Sequence, residues 1–285
     1  MGCYVCGCEQ YDVRKGQIRD LEGVEIHECA NCGLTYLESS SHISSAHYTE
    51  SPIVGPLHPS VDDWLKSTSV DDGRRFKEYE ESFAGKKVLD FGCGAGGFLN
   101  RCKDIALVAD GVEPDGHVRD YWKEKIEIWP DLSEVPGEKK YDIITLFHVL
   151  EHLHDPRLIL KQIADKLESG GSIIVEVPSC DDALITLYDS EKFQNFTYWS
   201  QHLYLFNANS LGLLAKQSGL KVRATRYYQR YPLSNHMYWL SRGLPGGHQQ
   251  WGFLDSEDMQ RAYSNALARI GKTDTIICYL ERYDE

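Results

Sequence analysis

The chain has 285 residues, of which 42% are hydrophobic and 26% charged, so it can fold around a substantial core and is not dominated by disorder. Its net charge of −13, from 43 acidic and 30 basic residues, disfavours binding to a nucleic-acid backbone, so nucleic-acid partners are not expected. The longest apolar stretches are far shorter than the roughly 20 residues of a membrane span, and the N-terminus lacks the basic and apolar regions of a signal peptide; we therefore expect a cytoplasmic protein with no membrane partner.

Two cysteine pairs with C-x-x-C spacing open the chain. Cys3 and Cys6 form the first pair, Cys29 and Cys32 form the second, and a glycine follows each pair. Four thiolates at this spacing are typical of a closed tetrahedral zinc site, and metal binding would stabilise a segment too short to build its own core. The sequence predicts a zinc-ribbon module at residues 1–38, with structural Zn²⁺ on these four cysteines.

Other interpretations of the cysteines stay open at this point. Cys8 and His27 lie close enough in the sequence to replace one of the four ligands. The pairs could also be free buried cysteines or redox pairs, although no βαβ pattern surrounds them. Residues 39–71, rich in Ser, His, Pro and Gly, are predicted to be a linker that could place Tyr48 over the mouth of the next domain.

The domain at 72–285 alternates between predicted strands and helices. Buried or alternating apolar runs predict seven strands, at 87–91, 106–112, 126–128, 141–147, 172–177, 220–228 and 275–280. Helices are predicted at 72–84, from 97, from 155 to the glycines at 170–171, at 209–218 and at 256–270. This order predicts an α/β fold with a doubly wound, mostly parallel sheet, whose ligand site lies at the carboxyl ends of the strands.

A glycine-rich turn follows the first of these strands in VLDFGCGAGGF, residues 88–98. It fits a dinucleotide pattern on Gly92, Gly94 and Gly97, or a D-x-G-x-G-x-G pattern that begins at Asp90. A carboxylate before the turn disfavours a pyrophosphate and suits a ligand that carries an ammonium or sulfonium cation. Glu113, at the end of the next strand, suits the ribose hydroxyls of either ligand.

Four segments in order, VLDFGCGAGGF, GVEPD, YDIITLFHVLEHLHDP and LESGGSIIVEVP, resemble the motifs of class I S-adenosylmethionine (SAM)-dependent methyltransferases over about residues 72–220. The resemblance implies a Rossmann-like sheet of seven strands with the last antiparallel, and SAM as cofactor. It implies that SAM contacts Asp90, Gly92, Gly94 and Gly96 through its methionine half, Glu113 through its ribose, Asp131 and Leu132 beside its adenine, and Phe147 with His148 near its sulfonium.

The acceptor side of the site contains two candidate bases. Methylation of a hydroxyl or acidic carbon needs a group that takes the proton, and histidine suits this near neutral pH. The cysteine module together with TYWSQHLYLF, residues 197–206, is similar to sugar C-methyltransferases of deoxysugar pathways. That similarity implies His202 as base, with His148 and Trp199 as neighbours. Gln201 stands where that group has Glu, so oxygen methylation fits as well.

An aromatic insertion at 226–253 precedes the last strand, where methyltransferases vary their acceptor pocket. Tyr227, Arg230 and His248 are its candidate substrate-binding residues, because aromatic faces with interspersed polar groups suit a sugar ring and arginine suits a diphosphate. The same stretch could instead pack over the sheet or form a homodimer contact.

We therefore predict a SAM-dependent methyltransferase that acts on a small molecule, a sugar or nucleotide-linked sugar of surface-glycan or secondary-metabolite biosynthesis. The alternatives are a zinc-finger rRNA methyltransferase, a non-catalytic binding module with this fold, and an NAD oxidoreductase. HVLEH at 148–152 also spells the H-x-x-E-H pattern of inverted zinc peptidases, but its position after a buried strand fits the methyltransferase motif better.

Overall fold

A computed structural model describes residues 2–43 and 60–283. The N-terminal module forms three short antiparallel strands: β1 (Tyr11–Val13), β2 (Ile26–Cys29) and β3 (Thr35–Leu37). A fourth strand, β9 (Tyr204–Leu205), comes from the C-terminal half of the chain and pairs antiparallel with β3. The module is thus joined to the larger domain by a shared sheet, which the sequence did not predict.

A long first helix replaces the end of the predicted linker. Helix α1 (Val61–Phe83) begins at residue 61 instead of 72, and the Ser60 side chain accepts a hydrogen bond from the Asp63 N–H as its N-cap. The predicted linker boundary at 71 is therefore wrong. Tyr48, which the sequence placed over the site, lies outside the described residues.

The second sheet has seven strands in the order β10-β11-β8-β7-β4-β5-β6. Their bounds are β4 (Lys87–Phe91), β5 (Val108–Val112), β6 (Ile128–Trp129), β7 (Tyr141–Phe147), β8 (Leu167–Pro178), β10 (Leu220–Tyr228) and β11 (Thr275–Arg282). Strand β11 runs antiparallel to both of its neighbours, and the strands from β8 to β6 are mutually parallel. The predicted seven-stranded α/β sheet with an antiparallel last strand is confirmed.

Helices connect the strands of this sheet: α2 (Gly97–Cys102), α3 (Gly116–Trp122), α4 (Pro156–Asp165), α5 (Ala183–Thr186), α6 (Glu191–Thr197) and α7 (Ala208–Gln217). Asp155 caps α4 and proline occupies its first turn, as the sequence predicted. The predicted end of α4 at residues 170–171 is wrong, because both glycines lie inside β8.

Beyond the end of β10, most of the aromatic insertion is helical. It contains α8 (Leu233–Arg242) and α9 (Gly247–Gln250), and α10 (Glu257–Arg269) follows it before the last strand. Among the residues that the structure describes, no helix combines the length and apolarity that crossing a bilayer requires.

Two layers of side chains cover the two faces of the large sheet. On one face, Val88, Ile143 and Ile277 pack against Tyr79 and Phe83 of α1 and the aromatic ring of Phe98. The other face packs against α4, α7 and the cysteine module, through buried side chains that include Leu89, Ile144, Leu160, Leu214, Cys3 and Cys32. The module therefore belongs to the main core.

Candidate active site

The turn after β4 uses three glycines in a left-handed backbone conformation. Gly92, Gly94 and Gly96 have φ of 74°, 53° and 79°, whereas Gly97 begins α2 with a helical backbone. A Cβ atom on Gly92 would lie 2.5 Å from a methyl of Val149, so both the backbone angle and the space require glycine there. The D-x-G-x-G-x-G pattern therefore describes the turn better than the dinucleotide pattern.

Two buried carboxylates flank this turn. Asp90 is 3% exposed and accepts a 2.6 Å hydrogen bond from the Thr145 hydroxyl. Glu113 is 4% exposed and accepts from the N–H groups of Gly94 (2.9 Å) and Asp115 (3.2 Å). Burial raises the pKa of each carboxyl to about 7. A ligand with a positive charge would favour their ionised forms, which fits the sulfonium and ammonium groups of SAM.

Trp64 of α1 covers the glycine turn. A Cβ atom on Gly94 would lie 3.1 Å from the indole, and the side chain is 7% exposed in a cluster with Cys93, Leu99 and Trp122. The sequence pattern did not indicate Trp64, because position 64 lies in the predicted linker. A tryptophan in an otherwise polar stretch was the available signal.

Three other predicted cofactor contacts occupy separate environments. The Asp131 side chain is exposed and accepts hydrogen bonds from the backbone N–H and hydroxyl of Ser133, at 2.7 and 2.5 Å. Leu132, three residues after β6, is buried in the main core. The Phe147 ring packs against Phe98 in the core layer between the sheet and α1.

His148 lies at the end of β7, beside the turn. Its backbone is left-handed, with φ of 57°, and its N–H donates to the Glu176 carbonyl at 2.8 Å. Nδ1 lies 3.3 Å from a Glu151 carboxylate oxygen and Nε2 lies 3.4 Å from a Glu176 carboxylate oxygen. Burial opposes protonation of the ring, but these two carboxylates outweigh it and raise the pKa of His148.

Glu176 connects His148 to α1. Its carboxylate is fully buried and accepts hydrogen bonds from Arg74 (2.7 Å) and Arg75 (2.8 Å). Burial opposes ionisation of Glu176, but His148 and the two arginines hold its pKa well below the usual range. These residues were not predicted from the sequence, although the lone carboxylate in the apolar strand IIVEVP and the adjacent arginine pair are signals that could have indicated them.

His202 lies in a second group of side chains, together with His152 and Trp199. Its ring centroid lies 4.8 Å from that of His152 and 5.2 Å from that of Trp199. Burial, helped by His152, lowers the pKa of His202 to about 3, so the ring is neutral at physiological pH. Ligand atoms of Glu151, His152 and His202 all lie within 4.8 Å of one another, a spacing at which they could also hold a metal ion.

The predicted substrate contacts are divided. Trp199 adjoins His202, as stated above, whereas Tyr227 packs at the border of the main core. The Arg230 guanidinium donates to the Asp71 carboxylate at 3.1 Å, and Asp71 lies 3.8 Å from Arg74. Arg230 is therefore connected to the Glu176 cluster through Asp71 and Arg74.

His248 contacts residues of the aromatic insertion. Its Nδ1 lies 3.4 Å from the Asn235 side-chain oxygen, and its ring centroid lies 5.6 Å from that of Tyr231. The contacts of His248 are thus with the aromatic insertion itself.

The four predicted metal ligands converge. The sulfur atoms of Cys3, Cys6, Cys29 and Cys32 all lie within 4.8 Å of one another, with Cys3–Cys32 at 3.6 Å and Cys6–Cys29 at 3.4 Å. Sulfurs bound to zinc in a tetrahedron would be about 3.8 Å apart, whereas a disulfide would bring them to about 2.05 Å. The cluster fits a four-thiolate metal site.

The two alternative ligands point elsewhere. Cys8 contacts the Gln10 carbonyl at 3.6 Å, and His27 stacks on Tyr11 with ring centroids 3.8 Å apart. The geometry thus favours the four-cysteine set over sets that include Cys8 or His27.

Comparisons with known proteins agree with this architecture. A family model described as a methyltransferase domain matches residues 70–225, more than half of the chain. The chain is 25% identical to the ubiquinone biosynthesis O-methyltransferase of Acinetobacter baylyi over 179 residues, which are 58% of this chain and 75% of the relative. It is 29% identical to the enzyme of the same name from Aeromonas salmonicida over 225 residues, 72% of this chain and 89% of the relative.

Solved structures show the same fold. The crystal structure of a SAM-dependent methyltransferase from Archaeoglobus fulgidus superimposes with a TM-score of 0.50 at 20% identity, covering 75% of this chain and 94% of that one. The left-handed glycine turn, the flanking carboxylates and the sheet order lead to the same assignment as the family match. The chain therefore belongs to the methyltransferase domain family and is a SAM-dependent methyltransferase.

Proposed function

We propose that this enzyme transfers the methyl group of SAM to an oxygen atom of a small-molecule acceptor that binds beside His148. The O-methyltransferase names of the two relatives support oxygen as the methylated atom. SAM, when bound, supplies a methyl group on a positively charged sulfur. Asp90 and Glu113 would hold its charged and ribose parts, and the glycine turn admits it to the strand ends.

We assign the general base to His148 in preference to His202. The His148 side chain is a quarter exposed, and the carboxylates of Glu151 and Glu176 fix its ring and favour the protonated form that proton transfer would create. His202, with a pKa of about 3, is a much weaker base. In this proposal His202, with His152 and Trp199, forms a wall of the acceptor site.

The acceptor class divides into two testable options. The names of the relatives favour a ring hydroxyl of the kind found in ubiquinone precursors, whereas the Trp199, His152 and His202 rings also suit a sugar hydroxyl, the narrower hypothesis from the sequence.

We also propose that the four cysteines bind one structural Zn²⁺, because their sulfur spacing fits a tetrahedral thiolate site.

The testing experiment is a mass-spectrometric screen for transfer of a deuterated methyl group from SAM to catechol-type phenols and to nucleotide sugars. His148→Asn removes the base but keeps a residue that tolerates a left-handed backbone. We expect turnover to fall by about 100-fold or more, since a positioned base contributes that much. The exposed His154 provides the matched control, His154→Asn.

Full turnover in His148→Asn would exclude this histidine as the base. Methyl transfer to nitrogen or carbon in every accepted compound would contradict the assignment of oxygen as the methylated atom.

A further inference from the structure

The cysteine module contacts several parts of the larger domain, among them residues 198–209, which we call the acceptor segment because it carries Trp199 and His202. The first contacts come from the loop that follows β1. The Arg19 N–H donates to the Tyr198 carbonyl at 3.0 Å, and the Arg19 guanidinium lies 4.7 Å from the Trp199 ring centroid. Asp20 accepts from the N–H and hydroxyl of Ser200, at 2.9 and 2.8 Å.

The second set of contacts is the shared sheet. Strand β3 pairs with β9 through Thr35 with Leu205 and Tyr36 with Tyr204. The Leu37 N–H donates to the Leu203 carbonyl at 3.1 Å, directly after His202 in the chain. The backbone next to His202 is therefore ordered by hydrogen bonds to the module.

The third set comes from the cysteine turns themselves. The Cys32 carbonyl accepts from the side-chain amides of Asn207 and Asn209, both at 3.2 Å. The other turn docks elsewhere, since the Tyr4 carbonyl accepts a 2.6 Å hydrogen bond from Arg157 of α4. A metal on the four sulfurs would cross-link these two docking points.

The glycine turn of the SAM site is held by other elements. The Gly92 N–H donates to the Val112 carbonyl at 2.8 Å, and the Trp122 indole N–H donates to the Ala95 carbonyl at 2.8 Å. Trp64 covers the turn. Among the described residues, hydrogen bonds join the module to the acceptor segment, α4, α6 and α7, and none joins it to this turn.

We propose that the metal-loaded cysteine module positions the acceptor segment, so that metal at Cys3, Cys6, Cys29 and Cys32 controls the acceptor half of the active site and leaves the SAM half intact. The inference rests on the proposed function in naming this segment the acceptor side and in the Zn²⁺ proposed at the four cysteines. Its physical basis is that cross-linking two turns reduces the freedom of every strand and loop that they anchor.

The first test removes the metal from the full-length protein with a chelator, confirms the loss by elemental mass spectrometry, and measures amide hydrogen exchange. We expect exchange at residues 203–205 to accelerate by about tenfold or more, with less than about twofold change at residues 88–98. SAM affinity by calorimetry should stay within about twofold, and added Zn²⁺ should restore protection. None of these measurements needs a known acceptor.

A second variant keeps the cysteines intact. Asp20→Ala removes the two hydrogen bonds to Ser200, and Glu22→Ala, an exposed carboxylate of the same loop, is the matched control. We expect faster exchange in the acceptor segment for Asp20→Ala alone, with SAM affinity and metal content unchanged. Once an acceptor is known, its KM should rise in this variant while the KM for SAM stays constant.

Three results would overturn the inference. The first is a purified full chain without metal at the cysteines. The second is loss of SAM binding in parallel with loss of acceptor-segment protection, because the module would then support the whole fold. The third is unchanged exchange at residues 203–205 after metal removal. A failed acceptor screen with the expected exchange pattern would instead count against the proposed function alone.

Discussion

The backbone N–H of His148 donates to the carbonyl of Glu176 at 2.8 Å while the two side chains approach to 3.4 Å. Two neighbouring strand ends are thus joined twice, once through the main chain and once through a charged pair. This double contact explains how a left-handed histidine is tolerated at the end of a buried strand, since local strain persists where the surroundings determine the conformation.

Glu176→Gln should destabilise the protein strongly. The change leaves Arg74 and Arg75 without their buried carboxylate, and removing one partner of a buried pair costs about 3–5 kcal/mol. Urea unfolding measures the effect, with Glu168→Gln as the control, because Glu168 pairs with Lys87 at 2.9 Å on the surface and should cost less than about 1 kcal/mol. Equal losses in the two variants would contradict a structural role for the Glu176 cluster.

The pH dependence of the same cluster has a definite sign. The pKa of Glu176 is lowered in the folded protein, so its stabilising contribution is present above the unfolded pKa and is lost as the pH falls through the folded value. The stability difference between wild type and Glu176→Gln should therefore be largest near neutral pH and shrink in acid. Unfolding curves at pH 7 and at a pH of about 2, well below the unfolded pKa of a glutamate, give this difference directly.

SAM binding should release protons near pH 7. Burial raises the pKa values of Asp90 and Glu113 to about 7 in the free protein, and a cationic ligand favours their ionised forms. Affinity should therefore increase as the pH rises from 6 to 8. Calorimetry in two buffers with different ionisation enthalpies detects the released protons, and Asp90→Asn should release fewer. A pH-independent affinity would show that these carboxyls do not respond to the ligand charge.

For the same two groups, the effect on folding has the opposite direction to that of Glu176. Because their folded pKa values are raised, their contribution to stability is fully present below the unfolded pKa of about 4 and is lost as the pH rises through about 7. This tension between folding and ligand binding is typical of functional sites. Asp90→Asn should accordingly be at least as stable as wild type at pH 8, while it binds SAM more weakly.

Much of this site could be predicted from the sequence because local patterns determine it. The carboxylate and glycines between an apolar strand and a helix identified Asp90, Gly92, Gly94 and Gly96, and all three glycines have the left-handed backbone that the turn needs. Seven apolar runs gave the seven strands, and the capping residue Asp155 gave the start of α4. Such features depend on neighbours in the chain, which a single sequence contains.

The errors concern contacts between distant segments. Nothing near Tyr204 indicates that a two-residue strand will pair with Tyr36, and the pairing exists only because both segments fold onto the same core. Trp64 and the Arg74–Arg75 pair acquire roles only when α1 crosses the strand ends to reach Gly94 and Glu176. The Leu132 and Phe147 side chains pack in the core layers, and their contacts with SAM stay predictions.

Gly92→Ala tests the shape of the SAM turn. Its Cβ would lie 2.5 Å from Val149, and an alanine at φ of 74° is strained, so we expect a stability loss of about 1–3 kcal/mol and a large loss of SAM affinity. The double variant with Val149→Ala removes the clash but keeps the backbone strain, so it should recover part of the loss. No recovery would mean that backbone strain alone explains the effect, which thermal unfolding of both variants would reveal.

Gly33 tests the docking of the cysteine module on the larger domain. This glycine has φ of 71°, and a Cβ atom there would lie 2.4 Å from the Asn207 side-chain amide, which donates to the Cys32 carbonyl. Gly23 has φ of 76° with open space around its Cβ position, so Gly23→Ala introduces the same kind of backbone strain without a collision. Gly33→Ala should therefore be less stable than Gly23→Ala by about 1–3 kcal/mol in urea unfolding. The collision displaces Asn207, the N-cap of α7, so hydrogen exchange at the start of that helix should also be faster in Gly33→Ala. Equal stability and equal exchange in the two variants would mean that the module does not contact the larger domain closely at Gly33.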